Sequence, residues 1–224
     1  MIENFDFKKI AKSLSDDIEM VQVKNTPNLR KVRQQYSKKL ILAAPEQILD
    51  FARYFIKNYN YRWIVFEIII CHKTAIQLIG EKELKEFGNQ IDSWGAVDVF
   101  AGYLAGPAWR NGQIPDELIS SWANSKNFWW RRTALVCTVP LNRQSVGGKG
   151  DIDRTLKICG ILAADKNDMV IKALSWALRE LIAHDPELVR KFLNDHDNEL
   201  AARVKREVRN KLTIGLKNPK RQKK

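Results

Sequence analysis

Residues 26–45 read TPNLRKVRQQYSKKLILAAP, and this stretch decides the fold class because it contains a helix together with its start and stop signals. Thr26 is of a residue type that caps helix N-termini, and a proline directly after it is tolerated because the first turn does not need its missing N–H. Pro45 ends this helix and begins the next. The stretch predicts a helix over 27–43 and a short turn into a second helix.

The same start and stop signals recur along the chain and predict turns between helices, called joints below, at Gly80, Gly106-Pro107, Pro115 and Pro186. Further helices are predicted over residues 4–19, 45–58, 61–79, 81–91, 94–105, 115–124, 127–139, 151–164, 168–184, 186–195 and 199–215. The aromatic and β-branched residues of 61–70 also suit a buried strand, but their apolar pattern continues to residue 79 as in a helix. No segment shows convincing strand alternation, so the chain is predicted to be all-α.

Helices of this length joined by short turns pair antiparallel, and the pairs recur at about 40 to 47 residues. These features predict an α-solenoid of HEAT-like antiparallel helix pairs forming a curved array, in which equivalent helices line one surface. Residues 1–215 are expected to form this single domain, and 216–224 a disordered basic tail. The glycine-rich segment 140–150, with cations at Arg143 and Lys149, is predicted to be a flexible flap.

The positive charge is concentrated near the two ends of the chain, whose formal net charge is +12. Residues 20–39 contain no acid, and residues 203–224 contain Glu207 alone among many lysines and arginines. Within residues 27–36 the cations Arg30, Lys31 and Arg33 recur at helical spacing with apolar positions between them, so they would project from one side of an ordered helix, which suits phosphate contact. A merely solvated terminus is the alternative for the last residues. The charge favours a polyanionic partner, and double-stranded DNA fits an elongated array.

Other classes of protein are disfavoured. Three cysteines far apart in apolar stretches predict buried thiols in a reducing compartment. The N-terminus lacks a secretory signal, and the apolar run 63–70 is too short to span a membrane. A soluble cytoplasmic protein, associated with the nucleoid when bound to DNA, is expected. Residues 147–150 do not match a phosphate loop and the three histidines lack metal-ligand spacing, so we expect no nucleotide, cofactor or metal.

Three tryptophan-bearing segments carry the functional signal: SWGAVD at 93–98, WWRRTA at 129–134 and LSWALRE at 174–180. Each sets a large aromatic face beside an acid or an arginine, a combination that holds a phosphate backbone and a cationic, base-like group in one place. Asp98 follows Trp94 by four residues, so both side chains would lie on one helical face.

Structural interpretations compete with this functional one. A tryptophan in a helix is usually part of the core. That interpretation is favoured for Trp63, Trp109, Trp122 and Trp129. Asp98 alternatively caps a helix or pairs structurally. Ion pairs within or between helices are the structural interpretation for Arg131, Arg179 and Glu180.

The three segments, in this order, resemble those of the AlkD-like DNA alkylation repair family, the HEAT-like-repeat DNA glycosylases, over roughly residues 26–207. The resemblance places Asp98 in the position of the catalytic carboxylate, Arg132 in that of the DNA-clamping arginine and Trp176 in that of a second site tryptophan beside Trp94. It also implies that a lesion is sensed without a deep flipped-base pocket. The family's N-terminal site tyrosine has no counterpart around residues 20–23.

The leading hypothesis is a DNA glycosylase of alkylation repair, acting as a monomer on N3- or N7-alkylated purines in duplex DNA. Because such bases are cationic, they leave as neutral groups, and one carboxylate suffices to stabilise the sugar cation and hold the attacking water. The further DNA-binding candidates are Arg30, Lys31, Arg131, Arg143, Lys149, Lys205 and Arg206. The missing tyrosine and the added basic segment support an alternative, a non-catalytic protein that recognises damaged or branched DNA. A protein-binding helical scaffold is a third hypothesis.

Overall fold

The computed structural model describes residues 6–219, which form helices and turns without any strand. The all-α prediction is confirmed, including the helical state of residues 62–70. The α-helices are α1 Phe7–Glu19, α2 Thr26–Lys39, α3 Pro45–Asn58, α4 Arg62–Cys71, α5 Glu81–Phe87, α6 Trp94–Phe100, α7 Gly106–Arg110, α8 Asp116–Ala123, α9 Phe128–Cys137, α10 Val139–Asn142, α11 Ile152–Ile161, α12 Asp168–Leu181, α13 Pro186–Asp195 and α14 Ala202–Ile214. Shorter turns are the 3-10 helices Ala75–Leu78 and Gln144–Val146 and the π-helix Ala101–Ala105.

Six helices form a continuous row in which each packs against the next: α2, α4, α6, α9, α12 and α14. They begin at residues 26, 62, 94, 128, 168 and 202, so successive members start about 32 to 40 residues apart. The repeat is therefore shorter than the 40 to 47 residues that the sequence pattern suggests. The other helices pack beside the row, for example α1 against α3 and α8 against α9 and α11. The chain is an all-helical repeat array.

The start of α2 differs in detail from the prediction. Asn25, not Thr26, is the cap, because its side-chain oxygen accepts a hydrogen bond from the backbone N–H of Asn28 at 2.9 Å. Thr26 and Pro27 then occupy the first two helical positions, where a proline causes no loss.

The predicted helix over 61–79 is interrupted at His72. The ring is buried, its Nε2 lies 3.1 Å from the carbonyl oxygen of Ala43, and its Nδ1 accepts the backbone N–H of Ala75 at 3.1 Å. These two bonds satisfy the histidine and cap the following 3-10 turn. A side chain that bonds the backbone in this way ends α4 although the apolar pattern continues.

Gly106-Pro107 does not form the predicted joint, because α6, the π-helix and α7 follow one another without a break. Pro107 has no N–H for the carbonyl four residues before it, and the wider π turn directly ahead of it accommodates that loss. A Cβ at Gly106 would lie 2.8 Å from the Pro140 side chain. The glycine therefore allows close packing on α10.

The segment 140–150 is a fixed connection rather than the predicted flexible flap. Its first half is helical, in α10 and the following 3-10 turn. Arg110 donates to the carbonyl oxygen of Val146 at 2.6 Å, and His184 Nε2 lies 2.6 Å from that of Asn142. Composition alone predicted mobility, but these bonds to neighbouring helices hold the glycine-rich backbone in place.

Two of the three predicted buried thiols are buried. Cys137 and Cys159 lie in the core, and burial raises the pKa of both thiols. Cys71, at the end of α4, is exposed, which corrects the prediction for that residue. Within residues 6–219 no helix is long and apolar enough to cross a membrane. Of the predicted tail, 216–219 are described, and Lys217 Nζ lies 3.4 Å from Glu207. Residues 220–224 lie outside the described part.

Candidate active site and nucleic-acid interface

Asp98 and Arg132 meet between α6 and α9 in a two-point ion pair. Ser93 caps α6 through its hydroxyl, which places Asp98 in the second turn. Arg132 Nε donates to one carboxylate oxygen at 2.9 Å and Nη2 to the other at 2.8 Å. Nη1 donates to the carbonyl oxygen of Met169 at 2.6 Å, so this guanidinium joins three helices of the row. Only 6% of Arg132 is exposed, which leaves its donors committed to the protein.

The surroundings of Asp98 shift the pKa of its carboxyl group in two opposite directions. Burial raises the pKa of the carboxyl group, and the hydrogen bonds and charge of Arg132 oppose that rise, with a net shift upward from the ordinary aspartate value. Arg132 therefore favours the ionised form that a role in catalysis requires.

A cleft of about 200 Å³ opens beside Asp98. Its wall is largely apolar, and its polar members include Tyr103, Arg143 and Trp176. Tyr103 was missed by the sequence reasoning. Tyr103 follows Asp98 by five residues. In a regular α-helix two side chains at this spacing point in different directions, but the wider π turn over residues 101–105 brings Tyr103 back to the side of Asp98. Its hydroxyl lies 3.4 Å from Arg30 Nη2.

Trp176 is held in the cleft wall by two charged neighbours. Its indole Nε1 donates to Glu180 at 2.9 Å, one turn farther along α12. Arg143 lies over the indole with its guanidinium carbon 5.3 Å from the ring centre, and its Nη2 is 2.5 Å from the same Glu180 oxygen. Although burial favours the neutral acid, these partners hold the pKa of Glu180 below its usual range. Glu180 thus pairs with Arg143 and not with its neighbour in sequence.

A second, more basic cleft of about 480 Å³ shares Arg132, Arg143 and Trp176 with the site. Six cations line it against two acids. The other four are Lys172, Arg179, Arg203 and Lys217. Arg179 has no carboxylate within 4 Å among residues 6–219, and its Nε donates to Ser175 at 3.3 Å. An unpaired guanidinium beside an indole suits a phosphate oxygen of a nucleic acid.

Trp94 lies at the first position of α6, and 62% of its surface is exposed. It lines neither of the two clefts. The structure therefore groups Asp98, Arg132 and Trp176, while Trp94 stands one helical turn before Asp98 as an exposed ring available for stacking.

The predicted basic residues occupy different surroundings. Arg30 donates through Nε and Nη2 to the buried Glu67 at 2.8 and 2.6 Å. Lys205 is bonded to Asp197, whereas Lys31 and Arg206 are exposed. Lys149 lines a different cleft, of about 400 Å³.

Arg131 points away from the site although it is adjacent to Arg132. Its Nε donates to Asp165 at 2.6 Å and its Nη1 to the carbonyl oxygens of Ser125 and Lys126 at 3.0 Å. This is the ion pair between helices that the structural interpretation assigns to it.

A larger cleft, of about 640 Å³, lies elsewhere, among α1, α3 and α5. In its wall Arg53 contacts Asp50, Glu83 and Glu86, and no tryptophan lines it. We place the candidate site at the smaller cleft because the Asp98 carboxylate and the Trp176 indole both line it, next to the basic cleft that contains the unpaired Arg179. Within residues 6–219 no three His, Cys, Asp or Glu side chains form a metal-binding group.

Comparison with known sequences covers nearly the whole chain. The family model described as DNA alkylation repair enzyme matches residues 7–212, and so includes every residue of the two clefts except Lys217. No curated protein sequence matches the chain.

Proposed function

The chain belongs to the DNA alkylation repair enzyme family, and from this premise we propose that it is a monomeric DNA glycosylase that hydrolyses the N-glycosidic bond of N3- or N7-alkylated purines in duplex DNA. The observation that carries the proposal is the placement of one ionisable carboxylate, Asp98, beside Trp176 in a largely apolar cleft next to a basic one.

The chemistry requires only one acid. An alkylated purine carries a positive charge at its ring, so it departs as a neutral base without a proton from the enzyme. The deoxyribose is left as an oxocarbenium-like cation, and the Asp98 carboxylate stabilises that charge and accepts a hydrogen bond from the attacking water. Arg132 favours the ionised carboxylate and orients it through two hydrogen bonds.

The size of the cleft supports a shallow mode of recognition. Pockets that enclose a drug-sized ligand measure about 300–1,000 Å³, whereas the cleft beside Asp98 measures about 200 Å³. A flipped nucleoside would not be enclosed there, but a deoxyribose at the mouth of the cleft would reach Asp98. The cations of the second cleft other than the buried Arg132 would then contact phosphates on one side of the lesion.

The direct test is the release of base from alkylated DNA. We expect the protein to liberate N3-methyladenine and N7-methylguanine from methylated duplex DNA, as measured by chromatography and mass spectrometry. Uracil-containing and unmodified duplexes should release no base, since their bases are neutral. Failure to release any methylated base at enzyme excess would contradict the proposal.

One observation favours the non-catalytic alternative. Both oxygens of Asp98 already accept hydrogen bonds from Arg132, an arrangement that also serves stability alone. A DNA-binding relative without activity would show salt-dependent affinity, with a slope of about −0.9 per phosphate contacted, and no base release. Any turnover on an alkylated duplex excludes this alternative.

A further inference from the structure

Trp176, Glu180 and Arg143 form a closed trio at the boundary between the two clefts. Each member contacts the other two: indole to carboxylate at 2.9 Å, guanidinium to carboxylate at 2.5 Å, and guanidinium over the ring at 5.3 Å. Trp176 and Arg143 line both clefts, and Glu180 lines the basic one. An aromatic face with an adjacent carboxylate attracts a cation, and here the chain supplies that cation itself.

Resting on the proposed function, we propose that Trp176 and Glu180 form the subsite for the positively charged alkylated base, and that Arg143 occupies this subsite until the lesion displaces it. Two cations cannot share one ring face and one carboxylate without strong repulsion. When a charged base enters and the guanidinium leaves, Glu180 keeps a cationic partner throughout. A neutral base offers no such replacement, so it cannot displace Arg143 at equal cost.

Arg143 is able to make this exchange. Its side chain is 37% exposed, and it borders the basic cleft, where Arg179 lacks a carboxylate partner. When the Arg143 guanidinium leaves the indole, it can bind a DNA phosphate in the basic cleft, which it already borders. Arg143 would act as a specificity-determining residue, and Glu180 as part of the binding site rather than as a catalytic residue.

A second trio of the same composition provides a matched control. Arg154 lies over Trp109 with its guanidinium carbon 5.4 Å from the ring centre, and Trp109 Nε1 donates to Asp116 at 2.7 Å. Arg154 also lies 3.4 Å from Asp116. Trp109, however, is only 1% exposed and lines none of the clefts described above. This trio has the same chemistry without access for a ligand.

The experiment measures binding without turnover. Two duplexes each carry one 2′-fluoro nucleotide, which stabilises the glycosidic bond: one bears N7-methylguanine, which is cationic, and the other bears neutral guanine. The ratio of their dissociation constants reports recognition of the charge, and contacts to phosphate cancel in it. We expect the protein to favour the cationic duplex by at least about threefold, the lower range of a cation–π contact supported by a carboxylate.

Two substitutions should move this ratio in opposite directions. Glu180→Gln keeps an acceptor for the indole but removes the negative charge, so the preference should fall to near unity. Arg143→Gln removes the competing cation, so the preference should rise about threefold or more although affinity for both duplexes falls. Arg154→Gln and Asp116→Asn should leave the ratio unchanged. Thermal unfolding of each variant checks that it is folded.

The outcomes separate this inference from the proposed glycosylase. A preference that neither Glu180→Gln nor Arg143→Gln alters, or a protein that does not distinguish the two duplexes, overturns the subsite even if methylated DNA is hydrolysed. The expected pattern of binding without any base release from ordinary methylated duplex supports the subsite and refutes the hydrolase.

Discussion

Arg131 and Arg132 are adjacent in α9, and each pairs with an aspartate 34 residues away, but the two pairs lie in different surroundings. Arg132 reaches back to Asp98, which borders a cleft with an indole in its wall. Arg131 reaches forward to Asp165, which also accepts the backbone N–H of Asn167 at 2.8 Å and so stabilises the turn before α12. The same type of ion pair therefore lies at the candidate site in one case and stabilises a turn between helices in the other, and the neighbouring groups make the difference.

The largest expected difference between the pairs is in base release. Asp98→Asn keeps one acceptor for Arg132 but removes the charge that stabilises the sugar cation, so the rate should fall roughly a hundredfold or more. Asp165→Asn, the matched change in the other pair, should keep at least half of the wild-type rate. Single-turnover release of methylated base from duplex DNA measures both, and equal loss in the two variants would remove the distinction between site and joint.

In stability the two pairs should behave alike. Asp98→Ala and Asp165→Ala each leave a largely buried guanidinium without its carboxylate, and breaking such a pair costs about 3 kcal/mol. Urea unfolding followed by circular dichroism gives both values. If Asp98→Ala left the free energy of unfolding unchanged or raised it while Asp165→Ala lowered it by several kcal/mol, the chain would keep Asp98 for function at the expense of stability.

The pH dependence of base release should report on the first pair alone. Because the net environment raises the pKa of Asp98, activity should be lost on acidification at a pH above the ordinary aspartate pKa of 3.8, as the carboxylate becomes protonated. Arg132→Gln removes the group that opposes the rise in the pKa of Asp98. The acid limb of the pH profile, where activity falls on acidification, should therefore move to still higher pH. An unchanged limb in that variant would show that Asp98 is not the titrating group. Asp165→Asn should leave the limb where it is in the wild type.

The smallest expected effect concerns the unpaired cation near the first pair. Arg179→Gln should weaken binding to duplexes of any sequence and reduce the salt slope of log affinity by about one phosphate contact. Arg154→Gln, a cation removed outside the two clefts, provides the control. A slope that is the same in both variants would place the bound backbone away from the basic cleft.

Part of the candidate site was proposed from motifs that resemble the family's. Asp98, Arg132 and Trp176 were assigned in this way, and the structure brings them together from α6, α9 and α12, which pack in succession along the row. Tyr103 and Glu180 could not be assigned in this way. Tyr103 depends on a π turn that no sequence signal marked, and Glu180 pairs across helices with Arg143 although Arg179 is its neighbour.

The sequence by itself determined the helical class, most helix bounds and the basic character, since caps, proline positions and apolar periodicity act over a few residues. Only the tertiary structure decided which of two neighbouring arginines faces a cleft, why the glycine-rich segment is fixed, and that Arg143 covers Trp176. These features depend on contacts between residues more than 30 positions apart, whose geometry is set by the packing of neighbouring helices and not by local propensity.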